Sequence, residues 1–287
     1  MPRQAPSPLG RPTVEVLGVR FHALTRREAA HDIAHLARSG RRAFVVKPYS
    51  EFMPRAQRDG RVRLILDSAN LCLADGVGIL WAAYYLSLPG GTLRALAQLP
   101  LSLAGAVLDP AAVRQPLPQA MAGVDLTWRM LEEMQALDVS VFLLGGTKEE
   151  LAGARAAIEQ RVPGLRIAGA RDGYFRTRGA ANDAVVEEIN ASGAQALLVA
   201  MGFPRQERWI ARNLHRLDVN VAVAEGGSFS FMSGAVGRAP RWVRRAGLEW
   251  LYRLLRQPWR LRRQLVIPAF IWLVLRERMD RASWGGG

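Results

Sequence analysis

Cysteine is nearly absent, Cys72 being the only one in 287 residues. An intrachain disulfide is therefore excluded, and the thiol, inside the apolar string Leu71-Cys72-Leu73, reads as a core residue of a protein kept in a reducing compartment. Long apolar runs are missing too: no window reaches the ~20 uninterrupted apolar residues that a membrane-spanning helix requires. The longest candidates, Ala95–Leu108 broken by Pro100 and Leu265–Leu275 holding Pro268, suit only a position in a bilayer interface. Histidine is scarce, and His22, His31, His35 and His215 make no ligand set, so no metal site is expected. No Asp-x-Asp pair occurs to hold a divalent ion against a diphosphate, and the six-residue glycine fingerprint of dinucleotide sites is absent. The opening string MPRQAPSPLGRPT has no apolar core, which excludes a signal peptide and reads as a disordered lead over residues 1–13.

Arginine and apolar side chains are what the chain has instead. Hydrophobic residues make up 49% and charged residues 22%, enough to bury a large core. Net charge is +14, and Lys47 and Lys148 are the only lysines. Genomic base composition alone can favour arginine over lysine, but it does not concentrate charge. From Gly237 to Gly287 twelve arginines stand against Glu249, Glu277 and Asp280, so 12 − 3 places +9 of the total in this tail. Arg253, Arg256, Arg260 and Arg263 recur at near-helical spacing, accompanied by Trp242, Trp250, Tyr252, Trp259 and Trp272. Arginines interleaved with indoles and short apolar stretches fit an anionic membrane surface. Nucleic acid is the weaker partner, because no recognised binding module accompanies the charge.

Short apolar runs alternate with helical patterns, the mark of a parallel sheet flanked by helices. Strands are expected at Phe44–Val46, Leu71–Leu73, Val141–Leu144, Arg166–Ala168, Ala196–Ala200 and Val221–Ala224. Helices are expected at Thr25–Arg38, Leu126–Leu137, Glu149–Arg161, Ala184–Ser192 and Arg205–Asn213, the first opened by a Thr25/Glu28 capping box. Ser87–Ala122, apolar and interrupted by five prolines, reads as an insertion. The α/β core spans 14–236, and a basic helical appendage follows over 237–287.

Ligands of open α/β sheets bind beyond the carboxyl ends of the strands. The glycines at those ends gather into candidate turns: Gly76 and Gly78 after Asp75, Gly145 and Gly146, Gly202, and Gly226 with Gly227. Each alone reads as a tight turn; several at one sheet edge suit a shared nucleotide cleft whose backbone amides can meet a diphosphate. Gln206 and Glu207 fall in the first turn of a helix on the same edge. Asp75, on a strand-end loop between small neighbours, suits a general base and equally a helix N-cap. A diphosphate leaving group without a metal needs arginine.

The strings ADGVGILWA, GVDL, FLLGGT, RDGYF, GFPRQERWIA, GGSFSFMSG and RAPRWVRRAGLEWLYRLLRQPWRLRR occur in this order. In that order the chain resembles the WecG/TagA/CpsF glycosyltransferases, builders of wall teichoic acid, enterobacterial common antigen and exopolysaccharide, over roughly Val14–Leu275. The resemblance implies a Rossmann-like core with a C-terminal appendage that docks, peripherally, on the cytoplasmic face of the bacterial plasma membrane. It implies inverting transfer from a UDP-sugar to a polyprenyl-diphosphate-linked sugar without metal or cofactor, and self-association. It assigns the general base to Asp75, the diphosphate to Arg253, Arg260 and Arg263, and the neighbourhood of the nucleotide sugar to Gln206. Three positions depart from the family pattern. Lys47-Pro48-Tyr49 replaces Thr-Pro-Asn, which makes Lys47 and Tyr49 candidate substrate contacts. Ala120 stands in place of an arginine, a charge Lys47 could restore, and Ser230 in place of an aspartate. Rival readings are a nucleotide-dependent oxidoreductase and a non-catalytic scaffold.

Overall fold

The computed structural model describes residues 10–121, 123–237 and 265–284. Order begins ahead of Thr13, earlier than the expected lead allows: Arg11 pairs with Asp32 at 2.6 Å, and the Pro12 carbonyl accepts from the Ala23 amide. Two strands follow, β1 (Thr13–Val16) and β2 (Val19–His22), which form an antiparallel hairpin. Its turn is Leu17-Gly18, both at positive φ, the geometry that matches strand twist. Periodicity alone misses this hairpin because each strand has only four residues.

Six parallel strands make the central sheet: β3 (Ala43–Val46), β4 (Leu71–Cys72), β5 (Val141–Gly145), β6 (Ile167–Arg171), β7 (Ala196–Ala200) and β8 (Val221–Ala224). Their order is β4-β3-β8-β7-β5-β6. The strands β3, β5, β7 and β8 are buried throughout, as a sheet covered on both faces requires. Alternate residues feed two cores, Phe44 and Val46 one, Ala43 and Val45 the other. From β3 the chain steps outward to β4; from β5 it steps outward the other way to β6. The order therefore reverses around β3, β8, β7 and β5, and their carboxyl ends form the rim where a ligand crevice is expected.

The flanking helices are α1 (Arg26–Arg38), α2 (Phe52–Arg58), α3 (Gly60–Asp67), α4 (Val77–Ser87), α5 (Thr92–Leu108), α6 (Gly123–Ala136), α7 (Lys148–Arg161), α8 (Ala180–Ala191), α9 (Arg205–Asn213), α10 (Ser228–Met232) and α11 (Val266–Trp284). The Thr25/Glu28 capping box opens α1 as expected, and a second, Thr147/Glu150, opens α7. The β6 strand runs three residues beyond its expected end, because an edge strand carrying Gly169 lacks the dense apolar run of its neighbours. The insertion holds one seventeen-residue helix, α5, with Pro100 inside it. Pro100 and Leu96 are both exposed, so the carbonyl that loses its partner is not walled into the core.

Helices α4 and α5 run antiparallel, tied by the Trp81 indole N–H to the Ser102 hydroxyl at 3.0 Å and the Tyr85 hydroxyl to the Ala95 carbonyl at 2.7 Å. Helix α11 lies across them. Phe270 meets the Trp81 ring edge-on at 6.1 Å, and Arg278 donates to the Leu88 carbonyl, to the Pro89 carbonyl at 3.3 Å and to Gln98 at 3.0 Å. Pro268 sits in the first turn of α11, where its missing N–H costs no helical bond. No helix among the described residues is long and apolar enough to cross a membrane.

Candidate active site

Asp75 lies three residues past the end of β4 and is half-buried at the rim. The N-cap of α4 is Gly76, at φ 86°, so Asp75 is not the cap and its carboxylate stands one residue ahead of the helix. Two backbone bonds hold it. Its own N–H donates to the Pro48 carbonyl at 3.0 Å, and the Met121 N–H donates to the Ala74 carbonyl at 2.8 Å. The segment leading into α6 is thereby drawn alongside. A side chain begun at Gly123 would put its first carbon 3.8 Å from Asp75 Oδ2 and 3.7 Å from Ser228 Oγ. Gly123 thus lies directly beside the Asp75 carboxylate and the Ser228 hydroxyl.

Behind this position the rim is closed by a buried polar network. Lys47, just past β3, donates to Glu225 Oε2, just past the adjacent β8, at 2.8 Å; their side chains are 4% and 0% exposed. The Thr127 hydroxyl, one turn into α6, donates to the same oxygen. The chain thus brings together a cation and an anion 178 residues apart, and a buried pair survives only when both partners are present. Lys47 is therefore committed inward and does not restore the charge missing at Ala120. Another residue reaches that position: Arg26, at the start of α1, donates to the Ala120 carbonyl at 3.3 Å. Tyr49 is half-buried, edge-on to Phe52, with its hydroxyl 3.4 Å from Glu51.

Gln206 forms a second network. Its carbonyl oxygen accepts from the backbone N–H groups of Met201, Gly202 and Gly226, at 3.2, 3.1 and 3.0 Å, and its amide donates to Glu207 at 2.8 Å. One buried side chain staples the end of β7 to the end of β8. Glu207 is buried beside it, and desolvation raises its carboxyl pKa to about 7, against the opposing pull of the Gln206 bond. Gly145 is demanded by packing: at φ 131° any Cβ would fall 2.2 Å from the Ala200 carbonyl oxygen. The Gly146 N–H donates to that carbonyl at 2.9 Å. Part of the set of rim amides expected to meet a diphosphate is committed elsewhere. The N–H groups of Gly146, Gly202 and Gly226 are already bonded within the protein, as is that of Thr147, to Glu150. Gly227 is the N-cap of the short α10.

Sequence reading missed two features. The hydroxyl of Ser230, where the family pattern has an aspartate, donates to the carboxylate of Glu150 from α7, so a carboxylate still occupies this part of the rim. The second is a cavity of about 600 Å³ between α3 and α9, lined by Arg61, Arg178, Arg205, Arg208 and Arg212 with Asp59. Arg205, Arg208 and Arg212 share one face of α9, whose other face carries Gln206. Spacing could have found this arginine face. Among the described residues no group of three or more His, Cys, Asp and Glu side chains could hold a metal. Arg253, Arg260 and Arg263 lie outside the described residues.

With this geometry in view, the chain matches the profile of the "Glycosyl transferase WecG/TagA/CpsF family" over residues 14–103 and 98–283. The chain belongs to that family. Being a WecG/TagA/CpsF protein, it is a glycosyltransferase. It is 33% identical over 241 residues to an N-acetylglucosaminyldiphosphoundecaprenol N-acetyl-beta-D-mannosaminyltransferase of Bacillus spizizenii, covering 84% of this chain and 81% of the relative. A Bacillus subtilis enzyme of the same name is 30% identical over 220 residues, 77% of this chain and 74% of the relative. One from Staphylococcus aureus is 27% identical over 267 residues, 92% and 93% of the two chains. The oxidoreductase and scaffold readings thus fall away.

Proposed function

We propose that this glycosyltransferase moves N-acetylmannosamine from its UDP ester onto the sugar of a polyprenyl-diphosphate-linked N-acetylglucosamine, in the synthesis of a bacterial cell-surface polymer. The observation that carries the reading is Asp75. It stands at the sheet rim, ahead of the α4 N-cap and beside Gly123, in a chain whose relatives are named for this transfer. In the reaction an acceptor hydroxyl oxygen attacks the anomeric carbon of the donor, and the bond from that carbon to the β-phosphate oxygen breaks. UDP departs with the electron pair, the hydroxyl proton passes to Asp75, and the anomeric centre inverts. Because several rim amides are bonded within the protein, charge on the departing diphosphate falls to guanidinium groups. Arg253, Arg260 and Arg263 are the candidates from the resemblance.

Lys47, Gln206 and Glu207 then act as supports of the pocket wall, while Tyr49 and the turns at Gly76, Gly145, Gly146, Gly226 and Gly227 shape its floor. The enzyme works as a peripheral protein on the cytoplasmic face of the plasma membrane, held to the anionic leaflet by the +9 tail. Self-association is part of the same reading. Incubation with a lipid-linked N-acetylglucosamine and a panel of UDP-N-acetylmannosamine, its uronic acid and UDP-glucose tests it. The first donor should give a lipid-linked disaccharide by mass spectrometry; preference for another donor, or no disaccharide, overturns the assignment.

A further inference from the structure

Helix α5 is built inside out. Its buried positions are small, Ala95, Ser102 and Ala106, which lets it sit close on α4. Leu99 and Leu103 pack partly buried against the core, and the other large apolar side chains of the helix are exposed. Leu93 and Leu108 are each 84% exposed and Leu101 74%, with Leu96 and Val107 exposed between them. With Ala97, Pro100 and Ala104 these complete a stripe at helical spacing along the outer face, and Arg94 is the only charged residue in the helix. A helix facing water shows the opposite arrangement. Ten large apolar side chains are exposed among the described residues, and eight of them lie on α5 or on Leu265–Trp272 at the start of α11. A continuous apolar face this large marks a surface that something covers.

We propose that this face is seated in the membrane leaflet, with α5 as an in-plane helix that sets the depth and tilt of the enzyme. The proposal rests on the reading that the acceptor is lipid-borne. Charge selects a leaflet over a second copy of the chain. From Arg238 to Arg263, the stretch leading into α11, nine arginines stand against Glu249, so 9 − 1 gives +8. Arg94, next to Leu93 on α5, adds to it. Two copies of a chain carrying +14 repel one another, whereas anionic headgroups neutralise such charge. Trp272, 60% exposed on α11, is the residue type favoured at the headgroup boundary. The antiparallel register carries the face to the chemistry. Trp81 is level with Ser102 and Tyr85 with Ala95, so Val107 and Leu108 are level with the first turn of α4, next to Asp75. Phe270 of α11 reaches the same turn, lying 3.7 Å from where a Cβ on Gly78 would be. A leaflet meeting this face would run up to the rim, where a diphosphate head protruding from it comes within reach of the carboxylate.

The test uses the full chain with Leu93, Leu101 and Leu108 each replaced by Glu, positions exposed enough to leave the fold intact. Wild type and variant are compared in sedimentation with vesicles of phosphatidylglycerol and phosphatidylcholine. They are also compared in transfer to a vesicle-borne long-chain acceptor and to a water-soluble short-chain one. The expected result is at least a ~10-fold fall in vesicle partition and in long-chain transfer, with short-chain transfer unchanged. Unchanged partition overturns the proposal. So does a wild-type dimer that the variant dissociates while vesicle binding is retained, which would mark a self-association face. If neither acceptor is used by the wild type, the functional reading fails while the sedimentation arm still decides the seating of α5.

Discussion

The sheet rim and the α5 flank solve opposite problems. At the rim, polar groups are driven inward and matched with one another: Lys47 and Thr127 with Glu225, Gln206 with three backbone amides and Glu207. On the flank, large apolar groups are turned outward and left exposed in the described chain. A buried polar network ties neighbouring strand ends together, whereas an open apolar face needs a partner. The comparison locates the rigid part of the enzyme and the part that meets its surroundings.

Cutting one member out of the rim should have the largest effect on stability. Lys47→Met leaves Glu225 buried without its cation and should cost about 3–5 kcal/mol in urea denaturation. Adding Glu225→Gln should recover most of it. A double-variant loss equal to the sum of the two single losses would mean that the pair is not coupled.

A smaller effect attaches to Glu207. Its pKa is raised to about 7 in the fold against an ordinary 4.5, so the folded state holds the proton longer than the unfolded chain. Stability from this group is complete below pH 4.5 and is lost as pH rises through about 7. Glu207→Gln, which mimics the protonated form, should flatten that slope and stabilise the protein at pH 8 by up to about 3 kcal/mol. A variant that loses stability in parallel with wild type from pH 5 to 8 would contradict this assignment.

What could be read from residues alone follows the same division. Asp75, the rim glycines and the parallel sheet are legible because strand-end turns and continuous apolar runs are local signals. The inward commitment of Lys47 is not, since its partner lies 178 residues away and the pairing depends on β3 lying beside β8. Gln206 is legible as a rim position but not in orientation, because α9 offers an arginine face and a stapling face and only packing decides which turns in. The α5 insertion is legible as apolar, but its inversion is a tertiary fact: composition cannot say whether leucine or alanine faces α4. The β1–β2 hairpin escapes because its strands are too short for periodicity to register.

The central claim is that Asp75 takes the acceptor proton, and single-turnover transfer to a soluble acceptor by Asp75→Asn tests it most directly, with UDP affinity measured in parallel. Loss of a general base predicts a rate ~10²–10⁴-fold below wild type with UDP binding unchanged. A rate within a few-fold of wild type would contradict the account.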